Sequence, residues 1–152
     1  MNKISIVMAL WKEAYFSESE VIAWADAEIL KGKSDPEDSL IELSLKGPGY
    51  CSKLPSYEFP ASRELSFSER FAVRLESLNW VSEKAVMEFI EWVSRASLGE
   101  DLNIPEVLFG YLLDEEFCYD EGNPLKLFNE EISTHKSKAS KLFKGIISEL
   151  NA

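Results

Sequence analysis

The sequence predicts an all-α fold, an irregular bundle of six or seven helices that forms a single domain over residues 1–152. Two observations support this fold class. Apolar residues recur at the three- and four-residue spacing of a helix face in nearly every segment. Six of the segments also carry residues that cap helices, mainly Ser, Asp, Asn, Pro and Gly. At least half of the residues should therefore be helical, and no sheet should have more than three strands.

The first two segments have the patterns of helices. The first covers about Lys3 to Tyr15 and is mostly apolar, with a stripe at i, i+3, i+4, i+7 and i+11 that begins at Ile4. The second opens at Ser17, where Glu20 three residues later completes a capping-box signature. Gly32 ends this second helix in the usual C′ role.

The third helix is predicted to begin at Asp35 as N-cap, with Pro36 as its first residue. From Gly47 to about Ser62 the helical pattern lapses, and three prolines and two glycines indicate an ordered surface loop. A short pair of strands is the alternative for this stretch, and the prolines disfavour it.

Four cap signals organise the second half of the chain. Ser68 with Glu69 begins one helix, and Ser82 caps the next, which stops at Gly99. Another helix starts near Asn103. Its expected core residues are Val107, Leu108, Tyr111 and Leu112. The final segment begins at Asn123, followed by proline, and its polar middle STHKSKASK fits either two helices or one long bent helix.

The net charge of −11 is concentrated in one short stretch of the chain. Residues 100–123 contain eight acids and no base, which gives −8, whereas residues 124–152 give +2. An evenly solvated surface would spread this excess along the chain. Phosphate binding needs Lys and Arg, so nucleic acid is not an expected partner. A basic protein is the partner that this charge favours.

Sequence motifs of the common enzyme classes are absent, so we expect no catalytic residue, no cofactor and no metal site. Two alternatives stay open: a dyad of Cys51 with His135, and an acid–base pair of Glu115 with either Glu116 or Asp114. Cys51 and Cys118 are expected to be free thiols of a cytoplasmic protein. No apolar run has the length of a membrane span, and the short one near the N-terminus is assigned to the first helix.

The stretch YLLDEEFCYDEG places carboxylates among aromatic residues, which make good interface anchors beside fixed charge. We call Asp114, Glu115, Glu116, Asp120 and Glu121 the acidic cluster. The predicted partner-binding residues are these five together with Phe117 and Tyr119. The alternative is a solvated helix end and turn. A second group, Lys136, Lys138, Lys141 and Lys144, is interpreted as a solvated helix face rather than a nucleic-acid site.

Residues 21–45, VIAWADAEILKGKSDPEDSLIELSL, resemble the early helix pair of small acidic immunity proteins from bacterial polymorphic toxin systems, including systems of contact-dependent growth inhibition. The resemblance covers these residues and the overall size, acidity and helical content. It implies a cytoplasmic protein without enzymatic activity that binds one cognate toxin domain, often a nuclease with a basic surface, and blocks its active site. The acidic cluster would then stand in for phosphates.

Two other functions fit the same sequence. The runner-up is a small helical adaptor or regulatory protein that binds another basic protein. The third is an enzyme of unrecognised type that uses Cys51 or the acidic cluster.

Overall fold

A computed structural model describes residues 2–32 and 35–152 of the protein. In these two ranges the regular structure consists of nine α-helices, and no strand is present. The helices are α1 (Lys3–Lys12), α2 (Glu18–Lys31), α3 (Asp38–Lys46), α4 (Pro48–Cys51), α5 (Phe67–Glu76), α6 (Glu83–Ala96), α7 (Pro105–Cys118), α8 (Pro124–Glu131) and α9 (Ser133–Asn151). The predicted all-α class is confirmed, and the number of helices in the described ranges is slightly above the six or seven expected.

The chain divides into two compact units. The first unit contains the described residues up to Glu64 together with Ile146–Ala152. It therefore holds α1 to α4 and the last turns of α9. The second unit is Leu65–Gly145, which contains α5 to α8 and the greater part of α9.

In the first unit, α1 is apolar nearly all round because most of its side chains are buried. The buried residues are Ile4, Ile6, Val7, Met8, Ala9 and Leu10. The predicted capping box of α2 is confirmed: the Glu20 N–H donates to Ser17 Oγ, and the Ser17 N–H donates to the Glu20 carboxylate. Arg63 and Glu149 form a two-pronged ion pair, with Arg63 Nε 2.9 Å from one carboxylate oxygen and Nη2 3.0 Å from the other.

Two predicted boundaries in the first unit are wrong: α1 ends at Lys12 and not near Tyr15, and α3 begins later than predicted. Helix α3 begins at Asp38 with Glu37 as its N-cap, so Asp35 and Pro36 precede the helix. The observed N-cap, Glu37, makes no side-chain capping hydrogen bond, so this start lacks the local signal that was expected at Asp35. Gly32 follows α2 with φ −68° and ψ 138°, an extended conformation and not the left-handed one of the usual C′ glycine. The loop expected after α3 also contains the short helix α4.

Aromatic packing dominates the core of the second unit. The rings of Phe71, Phe89, Phe109 and Phe128 contact one another with centroid separations of 5.4–6.3 Å. Such separations are typical of favourable aromatic pairs. The predicted ambiguity at the end of the chain resolves into two helices, α8 and α9, which are divided at Ile132. The polar stretch expected as a break lies inside α9.

Helix α7 packs unusually close to the end of α6 because Gly110 has no side chain. A Cβ built on Gly110 would lie 1.8 Å from Ser97 Oγ and 2.6 Å from the Val93 carbonyl oxygen. Such distances are well inside van der Waals contact, so only glycine fits there without displacing a neighbour. This contact fixes which side of α7 is turned into the second unit.

Candidate functional site

Helix α7 carries apolar side chains on two opposite sides. Val107, Phe109 and Leu113 are buried in the core of the second unit, and of these three only Val107 was predicted. Leu108 and Leu112 were expected in the core as well, but they are 46% and 40% exposed. The prediction is wrong for these two leucines because α7 has apolar residues around most of its middle turns, so its sequence does not reveal which side faces inward.

The outward side of α7 brings one carboxylate of the acidic cluster into line with these leucines. Successive residues are about 100° apart around a helix, so positions 108, 112 and 115 fall on one ridge. Glu115 on this ridge is exposed. Phe117, two residues further on, lies roughly 200° around the axis from Glu115, on another side of the helix. The seven predicted partner-binding residues therefore do not form one face of α7.

Glu116 has a structural task in the turn that follows α7. Its Oε2 accepts a hydrogen bond of 2.9 Å from the backbone N–H of Asn123. The same turn brings Gly122 against the helix end, where a Cβ would lie 1.7 Å from the Glu116 carbonyl oxygen. Asn123 in turn caps α8, since its side chain accepts from the N–H of Lys126. Glu116 thus holds the chain at this corner.

The turn displays the remaining members of the predicted site. Tyr119 is 61% exposed at the C-cap of α7, and Asp120 and Glu121 are exposed in the turn itself. Asp114 is half-buried on α7. In the described part of the chain, the side chains of Asp114, Glu115, Asp120 and Glu121 have neither an ion pair nor a hydrogen bond. Four negative charges, three of them on exposed residues, therefore lack a compensating partner.

Glu106 is the acid of residues 100–123 that does not belong to this surface. It is only 2% exposed, and its carboxylate is 2.8 Å from Lys138 Nζ and accepts a 2.8 Å hydrogen bond from Ser68 Oγ. Burial by itself raises the pKa of Glu106, but hydrogen bonds from Lys138, its own backbone N–H and Ser68 together lower it below its ordinary value. Residues 100–123 contain no base, but Glu106 is paired with the distant Lys138, and it joins α5, α7 and α9.

Burial shifts the pKa of both side chains of the possible catalytic dyad, Cys51 and His135. Cys51 is buried, and burial together with the charge of Glu42 raises its pKa to about 11. A catalytic thiol needs the opposite shift, because the thiolate is the nucleophile. His135 stacks on Phe109 at a centroid distance of 4.8 Å and contacts Phe71. Burial lowers its pKa, the charge of Glu106 opposes this, and Lys138 adds to the lowering.

No group of three or more His, Cys, Asp or Glu side chains is placed to hold a metal ion in residues 2–32 and 35–152. Over the same described residues, none of the helices combines the length and apolar character needed to cross a bilayer. The sequence matches no protein-family model, no curated protein and no solved structure. The inference of function therefore depends on the surface chemistry of this chain.

Proposed function

We propose that the protein is a cytoplasmic immunity protein that neutralises a cognate basic toxin domain by binding it one to one through the acidic surface at the end of α7. The observation that carries this proposal is the set of four uncompensated carboxylates, Asp114, Glu115, Asp120 and Glu121, beside the exposed rings of Phe117 and Tyr119. The resemblance of residues 21–45 to immunity proteins supports the same assignment.

The electrostatics of the free protein favour a cationic partner. Like charges close together repel one another, and a partner rich in Lys and Arg relieves this repulsion. Attraction between complementary surfaces also steers diffusional encounter, so rim carboxylates act mainly on the association rate. A nuclease toxin must bind phosphates with a basic surface, and a protein that presents carboxylates in their place covers that surface.

The first test removes charge from the four uncompensated carboxylates and leaves Glu116 in place, because Glu116 holds the turn after α7. The quadruple variant D114N/E115Q/D120N/E121Q keeps the shape of each side chain. We expect its association rate with the purified partner to fall about tenfold or more at low ionic strength. Near 1 M salt, where the Debye length is about 3 Å, wild type and the quadruple variant should associate with the partner at similar rates.

A control variant distinguishes the effect of charge in the acidic cluster from the effect of the net charge of the whole protein. Glu58, Glu64, Glu76 and Glu130 are exposed, and their side chains form no ion pair or hydrogen bond within the described ranges. Replacing these four with glutamine changes the net charge by the same amount. Stopped-flow association rates that fall equally in both variants, or in neither, would show that the acidic cluster is only a solvated surface.

A growth assay distinguishes immunity from an adaptor role. The domain encoded next to this chain is expressed in a bacterial host with and without it. An immunity protein restores growth, whereas the quadruple variant restores it poorly at the same expression level. Failure of the wild-type chain to rescue growth, although it binds the basic partner, would favour the adaptor and reject the immunity function.

A further inference from the structure

The exposed ridge of α7 has an apolar centre that the acidic surface alone does not explain. Leu108 and Leu112 are four residues apart and therefore adjacent on the outward side of the helix. Each keeps 40% or more of its surface in water, although the helix buries other apolar residues on its inner side. Exposed leucines in neighbouring positions are a mark of an interaction surface more often than isolated ones.

The loop before α7 is hydrogen-bonded to this helix and carries further apolar residues. The backbone N–H of Gly99 donates a 2.9 Å hydrogen bond to the hydroxyl of Tyr111, which holds the loop against α7. Tyr111 is one helical turn from Leu108, on the same side of the helix. Leu98 and Leu102 in this loop are 52% and 51% exposed.

Carboxylates stand at both ends of the leucine ridge. Glu100 and Asp101 are exposed in the loop before α7, and Glu115, Asp120 and Glu121 are exposed at its far end. The 14 residues of α7 span about 21 Å, so the two acidic groups flank an apolar centre of a few leucines. Protein interfaces with a desolvated apolar centre and a charged rim have this arrangement.

We infer that Leu108 and Leu112 pack onto the apolar stripe of a basic amphipathic helix of the partner, whose Lys and Arg side chains meet the carboxylates at the two ends of α7. The inference deepens the proposed function and depends on it, because the partner is again a basic protein. Charge complementarity selects a cationic helix, and the ridge of adjacent leucines selects one with an apolar face. The leucines act mainly on the dissociation rate, since they are desolvated only in the final complex.

A pair of synthetic peptides tests this directly. The first is an 18-residue helix with Leu on one face and Lys or Arg on the other, about five turns long. The second has the same charges with Ser at every Leu position. Fluorescence anisotropy near physiological salt should show at least about tenfold tighter binding of the leucine peptide. In methyl NMR, the signals of Leu108 and Leu112 should shift on its addition.

Variants of the chain locate the effect. L108S/L112S should abolish the difference between the two peptides, and L108M/L112M should retain it. The matched control is L30S/L45S, which removes two leucines that are 85% and 74% exposed elsewhere in the chain and should bind like wild type. Far-ultraviolet circular dichroism confirms that every variant is folded.

The possible failures separate this inference from the proposed function. Equal affinity for the two peptides, or no binding of the leucine peptide, overturns the inference and leaves the acidic surface as the binding site. Loss of the difference in L30S/L45S as strongly as in L108S/L112S also overturns it. The proposed function fails separately if D114N/E115Q/D120N/E121Q binds the serine peptide as well as wild type does.

Discussion

Replacing Gly110 with alanine tests the close approach of α7 to α6 that turns Leu108 and Leu112 outward. The new Cβ would fall 1.8 Å from Ser97 Oγ and 2.6 Å from the carbonyl oxygen of Val93. The serine cannot simply rotate away, since its hydroxyl donates a buried 2.6 Å hydrogen bond to that same carbonyl. The helices must therefore move apart or the hydrogen bond must break.

The expected cost of G110A combines three terms. Overpacking costs about 1–3 kcal/mol, and loss of the Ser97 hydrogen bond costs about 0.5–1.5 kcal/mol. Alanine gains about 1 kcal/mol over glycine in a helix interior. The free energy of unfolding should therefore fall by about 0.5–3.5 kcal/mol, and each kcal/mol lowers Tm by about 2–4 °C in a chain of this size. Urea unfolding followed by circular dichroism at 222 nm measures the change.

Gly145 provides the matched control. It lies inside α9, and a Cβ built there meets no atom within 4 Å. G145A should therefore stabilise the protein by about 0.5–1 kcal/mol, the opposite sign for the same chemical change. The double variant S97G/G110A should lose less stability relative to S97G than G110A loses relative to wild type, because S97G removes the nearest clashing atoms. A G110A protein as stable as wild type would refute the close packing of α6 and α7.

Three further predictions concern buried polar groups and thiols. K138M should destabilise the protein more than E106Q does, because the half-exposed Lys138 can turn to water when its partner is lost, whereas the buried Glu106 carboxylate cannot. In urea denaturation, E106Q should lower the free energy of unfolding by about 1–3 kcal/mol, and a larger loss for E106Q than for K138M would contradict the pairing. Burial lowers the pKa of His135, so the unfolded chain binds a proton at this residue before the folded protein does. The free energy of unfolding should therefore decline as pH falls through about 6.5, and H135F should lack the contribution of His135 to this decline. Identical stability profiles of H135F and wild type from pH 8 to 5 would rule out that contribution. At pH 8, iodoacetamide should modify the exposed Cys118 in the folded protein and spare Cys51, whose pKa is raised to about 11. Mass spectrometry after proteolysis identifies the modified cysteine, and faster labelling of Cys51 than of Cys118 would be inconsistent with the burial of Cys51.

The sequence predicted most helix starts whose signals are local. The start of α5 is an exception, because it was predicted at Ser68 and the N-cap is Ser66, which forms a capping box with Glu69. Ser17 with Glu20 caps α2, Ser82 caps α6 and Asn123 caps α8, because each capping side chain bonds a backbone N–H only three residues away. The start of α3 was predicted wrongly, because SDPED offers several polar residues that could cap a helix and the observed N-cap, Glu37, makes no side-chain capping hydrogen bond.

The site was harder to predict because its geometry depends on distant contacts. Leu108 and Leu112 have the spacing of core residues, and only the contact of Gly110 with α6 decides that they face outward. Glu106 has the appearance of one more surface acid, but its partner Lys138 is 32 residues away in the chain. A low-polarity helix with a glycine at its centre is the signal that could have indicated two apolar sides for α7.

On α7 and in the turn that follows it, some residues are needed by the fold and others are not. Glu116 and Gly122 are fixed, one by its hydrogen bond to the Asn123 N–H and the other by lack of space for a Cβ. Leu108, Glu115 and Asp120 are exposed, and surface substitutions of this kind usually change stability little. Substitutions at these exposed positions can therefore change the charge and shape of this surface, while the corner held by Glu116 and Gly122 keeps its structure.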